Sequence, residues 1–523
     1  MKKIINYGFT AAAVALWIWG LSACATKPIQ VDLLIKNATV VDGTGAKSFT
    51  ADIGITGDRI RYVGSNSGAF ITAERVIDAV GKMVTPGFID PHTHADAQLA
   101  NPRSSSNQAY LFQGVTTVLT GNDGEGPWPI GETITKWQQQ GVGTNVGLFV
   151  GHGTLRIKVL GLDNKTPTSE ELERMRAMVK QGMNEGAFGL STGLFYAPAI
   201  FAKTDEIVEL AKVSAAAGGI YDTHMRSESS AGLGLLGAIK ETIQVGRESK
   251  SAVHISHIKG LGSDMWGSSV EAVALVNSAR AEGIKVTANQ YPYSASALGL
   301  ISALIPAWAQ AGGPTELIKR IDDPAQRTRL DEDVQKNLKI RGGPDAIQFR
   351  VGAPDAIVSK KLADLMKTSN KTALETAYDL LKLNVPLPIV SFNMSETDIE
   401  NFMKQSWVMT GSDGTLGHPR MYGTFPRKLS EYVRQRKTIS IEQAVYSSTG
   451  LTAATFGIKD RGVVREGAFA DLVIFDPATI TDNASYLEPT LLPSGIQSVV
   501  VNGQVVIENG QYSGKLAGSV LRK

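Results

Sequence analysis

The stretch Gly87-Phe88-Ile89-Asp90-Pro91-His92-Thr93-His94 follows an apolar pair, Met83-Val84, and a Pro-Gly turn, and ends in two histidines one residue apart. On an extended strand, residues i and i+2 face the same way. Both imidazoles then reach one cation at the strand's C-terminal end, with Asp90 close behind as an outer partner. His-x-His alone is a weak signal, because two histidines also fall near a turn by chance. Its weight depends on further ligands arriving at equivalent places along the chain.

Downstream, the text repeats one sentence: helix, glycine, strand, polar residue. Thr168-Ser-Glu-Glu171 reads as a capping box opening a helix that runs towards Glu185 and stops at Gly186. Leu190-Ser191-Thr192 then reads as a strand end. Thr204 opens a second helix ending near Gly218-Gly219, before the strand Ile220 to His224. A third begins around Ser269 and halts at Gly283, before Ile284 to Ala288. This is the rhythm of a parallel α/β architecture, and at this length a (β/α)8 TIM barrel is favoured over an open doubly wound sheet. No Gly-x-Gly-x-x-Gly follows the first strand, which argues further against a dinucleotide fold. Residues 298–350 break the rhythm and read as an insertion.

The two ends have a different texture. Val31–Ile35, Ala38–Val41, Ala51–Ile55, Arg59–Val63 and Val76-Ile77 are short strand-like runs between Gly, Asn and Asp. Asp471–Phe475, Ile496–Val501 and Gln504–Ile507 match them, with Asn502-Gly503 as a hairpin turn. The expected organisation is a small β-sandwich built from 31–85 and 456–523 around a barrel at 86–455.

The first residues read as an export signal. Lys2 and Lys3 precede an apolar stretch from Phe9 to Gly20, too short for a convincing spanning helix. Leu21-Ser22-Ala23-Cys24 then resembles the bacterial lipobox, giving a signal peptide over 1–23, a linker over 24–30 and lipidation of Cys24. Ala25, where inner-membrane retention would favour aspartate, points to a lipid anchor in the outer membrane, facing the periplasm. Cys24 is the only cysteine, which suits an exported enzyme. Hydrophobic content of 43%, charged content of 20% and a net charge of +2 describe a globular chain without the basic surplus that nucleic-acid binding needs.

Chemistry collects where the strands end. Of seven histidines, His92, His94, His224 and one of His254 and His257 each close an expected strand, where barrel active sites are built. His254 and His257 are three apart and face opposite ways. His257 is nearer the strand's end and is the candidate ligand, with His254 packed behind it. Asp123 follows the buried strand Val115–Leu119, and Asp413 follows Trp407–Thr410. An aspartate there is often a helix cap, but two in register with the histidines form a set suited to zinc or a similar divalent ion.

Seven stretches then carry a resemblance. They are Pro86–His94, Gly114–Val118, Thr223–Glu228, Ile255–Lys259, Tyr291–Tyr293, Gly411–Gly414 and His418–Arg427. Together, from Val31 to the end, they resemble the N-acyl-D-amino-acid deacylases, the D-aminoacylase-like members of the amidohydrolase superfamily. The resemblance implies a zinc-dependent hydrolase that cleaves the amide of N-acyl-D-amino acids, or of L-Xaa-D-Xaa dipeptides, to release a D-amino acid. It also implies a tight zinc on His224 and His257, a second, weaker position on His92 and His94, and Asp413 as acid/base. Lys259, Tyr291 and Arg420 match the family's clamp on the substrate carboxylate, and Tyr196 lines the site. One departure stands out. The family often carries cysteine as the bridging ligand where this chain has Asp123, and a carboxylate is a harder donor.

Two other classes compete. A cyclic-amide hydrolase of the same superfamily would usually need a carboxylated lysine on the fourth strand, and Leu190–Leu194 offers none. A non-catalytic ligand-binding lipoprotein would not need Asp413 in register with the metal-ligand candidates.

Overall fold

The computed structural model describes residue 1, residues 29–65 and residues 70–523. The export segment and Cys24 lie outside the described residues. Strand Ile29–Val40 pairs antiparallel with Phe49–Thr56, which pairs with Arg59–Gly64. The same first strand pairs in parallel with Ile71–Asp78 and with Met83–Pro86. Met83–Pro86 is the seam: its other edge holds Leu472–Phe475, followed by Ile496–Val501, Gln504–Glu508 and Gln511–Tyr512. Both termini therefore build one nine-stranded sheet. Ile35, Ile53, Leu472, Ile474 and Val500 from the two halves are buried in one cluster. Each such side chain contributes about 1.5–3 kcal/mol. At the hairpin, Asn502 and Gly503 both take positive φ, as its tight turn requires.

The tail departs from the expected partition. Leu521 N–H donates to Val146 O (2.7 Å) and Val146 N–H to Ser519 O (2.9 Å). The last residues of 456–523 thus leave the terminal sheet and lie along a strand of the middle region.

The middle region is parallel. Phe88–Thr93, Val115–Thr120 and Asn145–Leu148 form one sheet. Val150–Gly151, Gly189–Gly193, Ile220–His224, Val253–Ile255, Val286–Gln290 and Val408–Thr410 form another. Phe88–Thr93 is buried at every position rather than alternately, because helices and the interior cover both faces. Helix Ser169–Asn184 opens on the expected capping box, Thr168 with Glu171, and stops before Gly186 at φ 109°. Helices Thr204–Ala216 and Ser269–Ala281 also match expectation, and Gly234–Ser249 adds one between the strands that carry His224 and His254.

The insertion is longer than 298–350. Ala295–Gly299 pairs antiparallel with Pro388–Phe392, which also pairs with Ile347–Phe349. Since the closing strand returns to the opening one, the excursion runs from 295 to 392. It has its own core, including Leu304, Leu330, Phe349 and Ile389.

Candidate active site

Strand ends aim the expected ligands at one point. His92 lies in Phe88–Thr93 and His94 just beyond it, with Asp413 fixed alongside because its N–H donates to His92 O (2.9 Å). His94 Nε2 is 3.1 Å from Asp413 Oδ1. Asp123 sits between the two histidine pairs. Its carboxylate oxygens are 3.4 Å from His92 Nε2, 3.6 Å from His94 Nε2, 3.6 Å from His224 Nδ1 and 3.5 Å from His257 Nε2. Two groups of donors result, His92–His94–Asp123–Asp413 and Asp123–His224–His257, within each of which the ligand atoms lie within 4.8 Å of one another. Asp123 belongs to both.

The backbone here is held in an unusual state. Asp123, His257 and Asp413 have φ of 57°, 33° and 48°, the left-handed region that non-glycine residues rarely enter and that clusters at functional sites. Packing enforces it. A Cβ on Gly193 would lie 2.1 Å from Asp123 O, so only glycine lets the Asp123 turn approach that strand. Neighbouring Asn122 donates to Pro91 O (3.1 Å) and to Asp222 Oδ2 (3.0 Å).

Outer partners fix these side chains. Asp90 Oδ1 accepts from the N–H groups of His92 (3.2 Å) and Ser412 (3.0 Å), tying the first strand to the Asp413 turn. Burial pushes its carboxyl up to about 7. His254 is packed behind the site, as expected. Its Nε2 accepts from Asn289 Nδ2 (2.8 Å), and Asn289 Oδ1 accepts from His257 N–H (2.8 Å). His152 pairs with Glu206 (2.8 Å), in neither donor group, and His418 Nδ1 accepts from Arg420 N–H (3.1 Å).

Glu228, four residues beyond His224, was not among the expected site residues. Its Oε1 accepts from Lys259 Nζ (2.5 Å) and lies 3.0 Å from His257 Nδ1. Lys259 Nζ is also 2.7 Å from His257 Nδ1, and a single ring nitrogen cannot donate to Glu228 while accepting from Lys259. With a cation between His257 Nε2 and Asp123, the proton would sit on Nδ1 and go to Glu228. Burial alone would raise the Glu228 carboxyl, but Lys259, His224 and His257 outweigh it and hold it below the usual range.

The three residues expected to clamp a carboxylate lie near one another. The Arg420 guanidinium lies 4.5 Å from the Tyr291 ring centre and Lys259 Nζ 5.7 Å from it. Arg420 Nη2 is 2.8 Å from Asp413 Oδ2, while its Nε and Nη1 are buried without a hydrogen-bond partner among the described residues. Against the burial that would raise it, Arg420, His257 and His94 keep the Asp413 carboxyl well below the usual range. Tyr196 packs edge-on against His224, ring centres 4.7 Å apart.

The donors fit a metal. His92 Nδ1 and Nε2, Asp123 Oδ1 and His224 Nδ1 are buried with no hydrogen-bond partner among the described residues. Polar atoms left so are costly, and a divalent cation would satisfy imidazole and carboxylate together.

A model of the amidohydrolase family matches residues 75–246 and 394–507, leaving out the whole of the 295–392 excursion. D-aminoacylase of Alcaligenes xylosoxydans xylosoxydans is 34% identical over 94% of this chain and 98% of its own. A crystal structure of D-aminoacylase superposes with a TM-score of 0.80 at 33% identity, over 94% of this chain and all of the other. N-acyl-D-glutamate deacylase from Bordetella bronchiseptica, solved with zinc and a phosphonate mimic of the tetrahedral intermediate, gives 0.81 at 31% identity, over 95% of this chain and all of the other. With its histidines and aspartates gathered at the strand ends and this similarity over nearly its whole length, the chain belongs to the amidohydrolase family, among the D-aminoacylases and N-acyl-D-amino-acid deacylases.

Proposed function

We propose that this protein is a zinc-dependent hydrolase that cleaves the linear amide of N-acyl-D-amino acids or L-Xaa-D-Xaa dipeptides and releases the free D-amino acid. The observation that carries it is the meeting, at Asp123, of two donor groups beside a cationic clamp. His224, His257 and Asp123 would hold the tight ion, and His92, His94 and Asp413 with Asp123 a second. Such an ion lowers the pKa of water towards neutrality and polarises a carbonyl. Asp413, held anionic, takes the attacking water's proton on Oδ1 and delivers it to the departing amine nitrogen as the C–N bond breaks. Lys259, Tyr291 and Arg420 grip the substrate carboxylate, Arg420 through its unpaired Nε and Nη1. The fourth strand favours this over a cyclic-amide hydrolase: Ser191 Oγ accepts from Gly124 N–H (2.8 Å) and Thr192 bonds Thr223 (2.7 Å), with no lysine to carboxylate.

The test is release of amine from N-acyl-D-amino acids by zinc-loaded protein. Converting the substrate carboxylate to its amide should lower kcat/KM at least tenfold, since each charge-assisted bond is worth roughly 1.5–3 kcal/mol. Equal kcat/KM for acid and amide, or for D and L forms, would remove the clamp.

The fold that goes with this reading is a closed (β/α)8 barrel beside a β-sandwich. A parallel bridge from Thr93 to Gly414 supports closure, as does the single residue, Phe149, between the strands ending at Leu148 and starting at Val150. A lipid anchor on Cys24 at the periplasmic face of the outer membrane completes it, supported by Leu21-Ser22-Ala23-Cys24. Cys24→Ser should leave an unlipidated precursor, and palmitate labelling of that variant at the wild-type level would exclude the anchor.

A further inference from the structure

An amide substrate has two halves, and the structure has a hollow on either side of Tyr196. One is the pocket above the metal donors, lined by His224, His257 and Asp413 together with Lys259 and Tyr291. It holds two of the three residues assigned to the substrate carboxylate, so the amino-acid half belongs there. The other is a cleft of about 570 Å³, and among the described residues Tyr196 alone lines both. Tyr196 packs edge-on against the donor His224, ring centres 4.7 Å apart, and Glu125, two residues beyond Asp123, also lines the cleft. The cleft therefore begins beside the metal donors and shares neither Lys259 nor Tyr291.

Its walls are apolar. Leu300, Leu317 and Leu387 of the excursion line it and are buried. Leu162, Val385 and Leu416 line it too, yet they are 40%, 41% and 46% exposed. Leu162 follows the helix His152–Leu160 and Leu416 follows Asp413, so three separate parts of the chain turn apolar side chains to one opening. Gly312 N–H donates to Leu162 O (3.1 Å), which joins the excursion to the barrel-side loop there. Apolar side chains left exposed around one hollow mark a surface that a ligand covers. The volume is that of a small-molecule site and far exceeds what an acetyl group fills.

We propose that this cleft takes the acyl half of the substrate and selects a long saturated acyl chain, so that N-octanoyl-D-amino acids are better substrates than N-acetyl ones. This deepens the deacylase reading and rests on it. The chain stays bound in the transition state, so each methylene moved from water onto the leucine walls raises kcat/KM, by roughly two- to fourfold.

The experiment measures kcat/KM of zinc-loaded protein for the N-acetyl, N-butanoyl, N-hexanoyl and N-octanoyl derivatives of one D-amino acid, the one whose acetyl derivative turns over fastest. Concentrations stay below those at which the substrates aggregate. The octanoyl compound should exceed the acetyl one at least about thirtyfold. The double variant Leu162→Glu/Val385→Glu, which puts charge at the exposed part of the cleft, should bring that ratio below about tenfold. Inhibition of the wild type by acetate, hexanoate and octanoate should tighten with length and covers the case of a poorly folded variant. An octanoyl-to-acetyl ratio near one in the wild type overturns the proposal, as does an unchanged ratio in the double variant. A higher kcat/KM for the L-alanyl derivative than for the closely isosteric N-propanoyl one would give Glu125 an ammonium to hold, and would make the cleft an aminoacyl site instead. A gain from N-acetyl-D-alanine to N-acetyl-D-norleucine that the double variant removes would put the cleft on the other half of the substrate and overturn the assignment. Absence of turnover with every acyl-D-amino acid would instead overturn the deacylase reading itself.

Discussion

Asp413→Asn is expected to lower kcat by about 10²–10⁴-fold while the protein keeps its fold and the metal of the His224–His257 group. The side chains are nearly the same shape, and asparagine's oxygen can still accept from Arg420, now 2.8 Å from Asp413 Oδ2. What disappears is the ability to take a proton and pass it on. The anion is present in the wild type because Arg420, His257 and His94 outweigh the burial that would otherwise neutralise it. Removing it leaves the Arg420 charge buried against a neutral group, so a stability loss of up to about 3–5 kcal/mol should accompany the kinetic one. Zinc content, thermal unfolding and single-turnover rates separate these effects. Turnover within threefold of the wild type, with metal retained, would take Asp413 out of proton transfer.

The metal-donor candidates were legible because strand geometry is simple. The two-residue period put His92 and His94 on one side, and strand ends followed by polar residues located Asp123, His224, His257 and Asp413. The resemblance supplied Lys259, Tyr291, Arg420 and Tyr196. Glu228 was not legible in this way. It lies on a loop, which has no period, and it was marked only as the last residue of the Thr223–Glu228 stretch, four residues after His224, with no role attached. The placement of the excursion was hidden for a different reason: its internal core looks in sequence like any other amphipathic packing. Nothing local says that residues 295–392 fold back over the metal donors. The longer extent of that excursion followed from one pairing, Ala295–Gly299 with Pro388–Phe392, and partners about ninety residues apart leave no mark on either strand. The tail along Asn145–Leu148 escaped notice similarly, because its hydrogen bonds are made by the backbone and need no particular side chain.

Asp123→Ala is expected to remove both metal and activity, since its carboxylate is the element the two donor groups share. Were Asp123 only a loop cap, the same change would cost about 1 kcal/mol and spare the zinc. The geometry speaks against a cap. Its Oδ1 has no hydrogen-bond partner among the described residues, and the following amide, Gly124 N–H, donates to Ser191 Oγ instead. A left-handed backbone at φ 57° also means that alanine gains nothing in comfort by replacing it. Asp123→Cys is the sharper variant. A thiolate is softer than a carboxylate and should hold zinc more firmly against a chelator. Turnover should change as well, because the acidity of a coordinated water follows the charge and softness of the other ligands. Full zinc content and unchanged activity in Asp123→Ala would show that the carboxylate is no ligand, and His224 and His257 would then need another partner within reach, with Glu228 Oε2, 3.7 Å from His224 Nε2, the first to examine.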